Sequence, residues 1–203
     1  MLSEIAMLVT EAPWTLSSDH RARSHAAGLS DAELLHAIAL SAFFGHLNRI
    51  ADAVAVPLDY EVQHQPPHAE PATPALPRAP ALRRGSPAVA IDARPATAAA
   101  LAAWRDYILA RAPENHAIAA WVAELLGDGA AAPYDPGSAP AAAPALRALV
   151  EQVTLAPWRL DEAAFAPLHA LGRDDAAVFD VCAAASTFGV MSRARVALIA
   201  LAD

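Results

Sequence analysis

The chain has 203 residues, a formal net charge of −8 and one cysteine, Cys182. The acidic balance, with Arg83 and Arg84 the adjacent basic pair, argues against a nucleic-acid surface, which needs clustered Lys and Arg. A lone cysteine excludes an intrachain disulfide and a disulfide-held secreted design.

The 56 % apolar content overstates core volume because much of it is alanine, the strongest helix former and one with little side chain to pack. The expectation is an all-α protein with close helix contacts. The opening "MLSEIAMLVTEAP" has no basic region ahead of its apolar residues and does not read as a signal peptide. Apolar runs such as "LLHAIALSAFF" read as too short to cross a bilayer. A soluble cytoplasmic protein follows, with no membrane and no nucleic-acid partner.

In chain order, the polar run "SSDHRAR" reads as a helix carrying His20 and stopping at Gly28, the residue type favoured just past a helix end. Ser30 then serves as an N-cap and Glu33 completes a capping box. Leu34, Leu35, Ile38, Ala42 and Phe43 follow with the spacing of a buried helical stripe. Small residues at Ala39, Ala42 and Gly45 would admit a neighbouring helix closely. Proline then becomes dense, at Pro66, Pro67, Pro71, Pro74, Pro77, Pro80 and Pro87, so residues 62–95 read as an extended linker draped over the surface. Two amphipathic helices are predicted next. Thr97 to Arg111 presents Leu101, Trp104 and Ile108, and Asn115 to Leu126 presents Ile118, Trp121, Val122 and Leu125. A second loop, "GDGAAAPYDPGSAPAAAP", leads to a helix near Ala145–Val153.

The sequence then repeats. "VTEAPWTLSSDHRARSHAAGLSDAELLHAIALSAFFGHLNR" and "VTLAPWRLDEAAFAPLHALGRDDAAVFDVCAAASTFGVMSR" align without a gap. Pro13, Trp14, Leu16, His25, Gly28, Asp31, Phe44, Gly45 and Arg49 recur as Pro157, Trp158, Leu160, His169, Gly172, Asp175, Phe188, Gly189 and Arg193. Two copies are too few for a solenoid, which stacks several units; they imply two related helical units packed on each other. In the second copy Asp174 or Asp175 replaces the serine cap. The implied organisation is a first unit over 1–61, a linker over 62–95, and 96–203 holding the two extra helices and the second, degenerate unit, all in one compact domain.

"HRARSHAAGLSDAELLHAIALSAFFGHLNRIAD" resembles the core of the carboxymuconolactone decarboxylase and alkylhydroperoxidase-like (AhpD-like) superfamily, in its two-unit, peroxidase-related branch. That family shows Cys-x-x-Cys-x-x-x-His closing one helix, a Gly-Leu-Ser-type turn, then a long helix ending in an Asn-Arg-x-Ala-Asp segment. The resemblance covers about Met1 to Val56 and, more weakly, Leu149 to Leu201. It places the family histidine at His20 and implies a homo-oligomer. The departure from the family is chemical. The two cysteines would fall on Leu16 and Pro13, and on Leu160 and Pro157 in the second copy. Dithiol peroxide reduction needs an attacking thiolate and a resolving thiol, so that activity is not carried across. The decarboxylase branch implies instead a histidine acid or base at His20, with Glu4 and Glu11 as carboxylates to orient it.

Trp14, Leu16 and Arg49 are the residues read as lining a ligand pocket, Trp14 having core anchoring as its other reading. Arg49 is expected either to pair with Asp52 or to reach an acidic ligand. His25 and His169 recur, which points to a shared packing or hydrogen-bonding role. His36 and His46 are read as lying near opposite faces of the long helix. No metal-ligand spacing is present, so no metal and no cofactor are expected. Cys182 reads as a small buried hydrophobe. Three functions are implied: a small-molecule binder or histidine acid/base enzyme, a non-catalytic oligomeric assembly protein, or an antioxidant enzyme using Cys182 alone.

Overall fold

Alanine-rich segments punctuated by proline leave the helix as the one regular element open to this chain. The computed structural model describes residues 1–54, 74–88, 94–129 and 143–203, and over these it is all-helical. The helices are α1 Leu2–Glu11, α2 Ser18–Ala26, α3 Asp31–Ala53, α4 Pro95–Arg111, α5 Asn115–Leu126, α6 Ala143–Leu155, α7 Glu162–His169 and α8 Asp175–Ala200, with short 3-10 turns at Pro13–Thr15 and Pro157–Arg159. Among the described residues the one β-type contact is an isolated bridge between Arg83 and Asp128.

The ends of these helices are set by local chemistry. At α3 the Ser30 Oγ accepts from the Glu33 N–H at 3.3 Å, and the Glu33 carboxylate accepts from the Ser30 N–H at 2.7 Å. This reciprocal box satisfies two orphan donors of the first turn. At α8 the same office falls to Asp174, which accepts from the Ala177 N–H at 2.9 Å. Gly28 (φ +89°) and Gly172 (φ +83°) end the helices before these caps in the left-handed region, where a side chain is strained. The turns Pro13–Thr15 and Pro157–Arg159 each begin with proline, whose missing N–H is an orphan there in any case. Thus α1–turn–α2–α3 and α6–turn–α7–α8 run through the same elements in the same order, with the repeated prolines and glycines at matching joints.

Packing centres on α8. Its first half joins α5, α6 and Trp14 in one apolar cluster that includes Ile118, Val122, Leu149, Val153, Val181 and Phe188. Its second half joins α1 and α3 in another, with Ile5, Val9, Leu34, Leu35, Ile38 and Leu198. Each of these large side chains contributes about 1.5–3 kcal/mol on burial. Because both clusters mix residues of the first and second halves, the halves share their core.

Two expectations need correction. Phe43 does not belong to the buried stripe of α3: Leu34, Leu35, Ile38 and Ala42 are buried, but Phe43 is 41 % exposed beside Phe44 at 59 %. The stripe turns outward because Phe43 rests its edge on Trp104 of α4, at 6.1 Å between ring centroids, instead of entering the core. Second, α8 is 26 residues long and by length and composition passes as a candidate membrane span. Its share in both apolar clusters accounts for that apolar character as a core helix.

The proline-dense segment is described over 74–88, where it is a strap tied to helix ends. The Leu76 N–H donates to Leu155 O at 2.8 Å, Ala79 to Leu125 O at 2.9 Å, Arg83 to Gly127 O at 2.7 Å, and Ala88 to Leu198 O at 2.8 Å. Each acceptor lies in or just past the last turn of α6, α5 or α8, where helices leave carbonyls without partners. The non-proline N–H groups of an otherwise extended chain therefore complete three helices. Gly127 and Gly129 make this possible: a Cβ at 127 would lie 2.7 Å from Ala81 O, and one at 129 would lie 2.5 Å from Arg83 O. The rest of the expected linker, and most of the second loop, lie outside the described residues.

Candidate functional site

Three groups of chemistry-bearing side chains can be built up from these elements. The first gathers at the start of α2. Ser17 precedes the helix and places its Oγ 2.9 Å from His20 Nδ1, one turn on. His20 Nε2 lies 3.6 Å from Glu4 Oε1 on α1. Glu4 is also held by Arg23, whose Nη1 and Nη2 donate to its two oxygens at 3.2 and 2.9 Å. The Arg23 bond, with the Arg23 and His20 charges behind it, holds the Glu4 carboxyl below the usual range. The structure thus brings His20 and Glu4 together, and adds Ser17 and Arg23, which the sequence reading did not single out. Glu11 does not join them; it lines a cavity elsewhere.

The second group surrounds that cavity, of about 510 Å³, bordered by Thr10, Glu11, Asn48, Arg49, Asp52 and Trp158 and by the strap residues Pro74 to Pro77. Arg49 is 4 % exposed. It fits because α3 has glycine one turn earlier: a Cβ at Gly45 would sit 2.9 Å from Arg49 Nη1. Nη1 donates to Gly45 O at 2.7 Å, while Nε has no hydrogen-bond partner among the described residues. Burial pushes Arg49 down to about 10, partly offset by the Asp52 charge. Asp52 acts at a distance, without a direct ion pair, and burial raises its carboxyl. Of the residues expected to line a pocket with Arg49, Trp14 and Leu16 are buried in the two core clusters instead. Trp158, the counterpart of Trp14, is 40 % exposed and borders the cavity.

Arg193, the counterpart of Arg49, is also buried, at 2 % exposed, with Gly189 making the same room for it. Its Nε donates to Thr10 O at 3.0 Å and its Nη2 to Thr154 O at 2.9 Å. Thr10 and Thr154 are themselves counterparts in the last turns of α1 and α6. One guanidinium therefore completes both helix ends. Burial, and then the Arg49 charge, push Arg193 well below its ordinary value.

The third group is Cys182 with its surroundings. The thiol is 1 % exposed and burial pushes it up to about 12, so thiolate is suppressed at neutral pH. His25, His169 and His46 have structural partners. His25 Nε2 lies 2.7 Å from Asp31 Oδ1, and His169 Nε2 lies 3.2 Å from Asp175 Oδ1, so each ties its short helix to the first residue of the long one. His46 Nδ1 lies 2.8 Å from Ser186 Oγ, which also donates to His46 O at 3.2 Å. His36 and His46 do not point to opposite faces. Ten residues of helix leave them about 80° apart, and Phe43 and Trp104 border both. Among the described residues no three His, Cys, Asp or Glu side chains gather to hold a metal.

Compared with known proteins, the chain matches no family model, no curated protein and no solved structure.

Proposed function

We propose that this chain is a cysteine-poor relative of the alkylhydroperoxidase-like proteins that binds a small molecule and does no dithiol redox chemistry, with His20 as an acid or base paired to Glu4. The observation that carries the non-redox part is the fate of the sulfur positions. Leu16 and Pro13 are buried, and the single thiol is enclosed with its ionisation suppressed. A peroxide-reducing cycle has neither its attacking nor its resolving group. The acid/base part is supported by the Ser17–His20–Glu4 arrangement. A serine hydroxyl bonds one ring nitrogen and a carboxylate lies near the other, which orients the ring for proton transfer.

Two measurements test the reading. Hydroperoxide consumption in the presence of excess dithiol should not exceed the protein-free rate. Carbon dioxide release from a panel of small β-keto and unsaturated carboxylic acids should disappear in His20→Gln. Dithiol-dependent peroxide turnover refutes the first part, and release unaffected by His20→Gln refutes the second.

A second reading, a homo-oligomeric assembly protein, is favoured by one observation. Leu40, Phe43, Phe44 and Leu47 recur at helical spacing on α3 and are all exposed. Light scattering on the purified chain distinguishes a monomer from an assembly, and Phe44→Glu should dissociate the latter.

A further inference from the structure

We propose that the Arg49 cavity is a binding site for a small organic carboxylate, its acid group on the Arg49 guanidinium and its apolar body against Trp158 and the proline strap. The inference stands apart from the His20 chemistry, since its residues are different.

Arg49 and Arg193 occupy matching places, each above a glycine one turn back. The carbonyls that suit a guanidinium there are those of Thr10 and Thr154, which are each other's counterparts. Arg193 takes both. Arg49 is left with Nη1 on Gly45 O and an unpartnered Nε. A guanidinium carries five N–H donors and stays cationic even with its pKa near 10. Two buried cations thus act on one another, and among the described residues neither has a carboxylate in direct contact. A buried charge in this condition is costly unless something pairs it.

The cavity offers the place for that partner. Its volume of about 510 Å³ suits a small molecule. Its walls divide by chemistry: Trp158, Pro157, Pro74, Leu76 and Pro77 are apolar, whereas Arg49 and Asn48 supply donors. Asp52 and Glu11 are exposed, so their negative charge sits toward solvent while the positive charge is buried. A planar carboxylate matches a guanidinium edge with two parallel bonds, which a tetrahedral phosphate of higher charge would do beside two carboxylates at greater repulsion. The occupant that fits is a monocarboxylate with a compact apolar or aromatic body.

Calorimetric titration of the whole chain with sodium benzoate tests this, with benzamide as the neutral isostere and inorganic phosphate as the competing anion. The expected result is one benzoate per chain and no measurable benzamide or phosphate binding. Arg49→Met should weaken benzoate at least tenfold, and Asp52→Asn should tighten it. As a readout that needs no variant of Arg49, benzoate should change wild-type tryptophan fluorescence, and the change should be lost in Trp158→Phe. Absence of benzoate binding at millimolar concentration, equal binding of benzamide, preference for phosphate, or unchanged benzoate affinity in folded Arg49→Met would each overturn the proposal. None of these results bears on peroxide turnover or on His20.

Discussion

Replacing Arg193 and Arg49 separately by methionine should have effects of different size and sign, although the two residues occupy matching positions. Methionine keeps most of the side-chain volume, so neither change opens a large cavity. In Arg193→Met the carbonyls of Thr10 and Thr154 lose bonds of 3.0 and 2.9 Å, the first part-buried and the second buried. Orphaning a buried acceptor costs about 1–3 kcal/mol and the part-buried one less, so the two give about 2–5 kcal/mol. Removing a buried cation returns part of this, because its desolvation penalty disappears. A net loss of about 3 kcal/mol is expected. In Arg49→Met the lost partner is Gly45 O, inside continuous α3, where the helix itself supplies a donor. The variant also removes an Nε without a partner and a buried cation without a direct carboxylate contact among the described residues. Its stability should be unchanged or raised by about 1 kcal/mol. Urea unfolding followed by helix circular dichroism measures both, provided the slope with denaturant is the same as for wild type. For a chain of this length, 3 kcal/mol lowers the melting temperature by about 6–12 °C. Equal losses in the two variants, within about 0.5 kcal/mol, would refute the claim that Arg193 alone holds the helix ends and that Arg49 is left over.

Other outcomes follow from single contacts. Cys182 has its thiol pushed up to about 12, so alkylation by iodoacetamide at pH 8 should be at least about a hundredfold slower than for the same chain in denaturant. Gly28→Ala should cost about 1 kcal/mol from backbone strain alone, since nothing lies within 4 Å of the added carbon. Gly127→Ala adds a steric clash with Ala81 O to a φ of +75°. It should cost at least twice as much, and hydrogen exchange at Ala79 and Arg83 should quicken as the strap loosens. Asp31 is held below its ordinary value by the Arg21 bond and then the His25 bond. Its depressed folded pKa contributes stability that is present above the unfolded value near 3.8 and is lost as pH falls through the folded one. Asp31→Asn should therefore flatten stability against pH on the acid side of 4 while lowering stability at pH 7, which acid titrations by circular dichroism would show.

Much of the bundle was legible because its signals are local. Ser30 with Glu33, and Gly28 with Gly172, announce helix ends through contacts spanning a few residues. The period of Ile118, Trp121, Val122 and Leu125 marked α5 and four of its buried residues, although Asn115, Ala117, Ala119, Ala123 and Leu126 are buried as well. What escaped depends on contacts between distant segments. Phe43 fits the apolar stripe by spacing, yet Trp104 on α4 draws it outward. The proline-dense run read as a surface linker; that its free N–H groups complete α5, α6 and α8 requires knowing where those helices end in space. The same holds for the site. Pairing His20 with Glu4 needs α1 and α2 to meet, which a family resemblance suggested and spacing alone did not. The shared Gly-x-x-x-Arg spacing does not separate Arg49 from Arg193, and the neighbours that do differ, Asn48 and Asp52 against Ser192 and Val196, do not say which arginine takes the Thr10 and Thr154 carbonyls. Their difference arises only when both compete for one pair of carbonyls.

That competition also bears on how the two halves differ. The second long helix lies between α3, α5 and α6 and is walled in on most sides. The extra helices α4 and α5 come from the middle of the chain, and they add to the core around α8 more than around α3. A burden of packing therefore falls on the second copy. Trp14 enters the α5–α6–α8 cluster, and the turn that carries it lies against α8. Trp158 belongs to neither apolar cluster of the described residues and remains 40 % exposed. The consequence is directional: filling space around Arg193 makes that arginine a structural tie, whereas among the described residues the space beside Arg49 is left as a cavity. Closing the Arg49 side should therefore mimic the other. A bulky apolar replacement facing the cavity, Ala75→Leu in the strap, should leave the helix content intact and abolish benzoate binding. Retained binding in that variant would place the anion outside the cavity and sever the link between asymmetry and site.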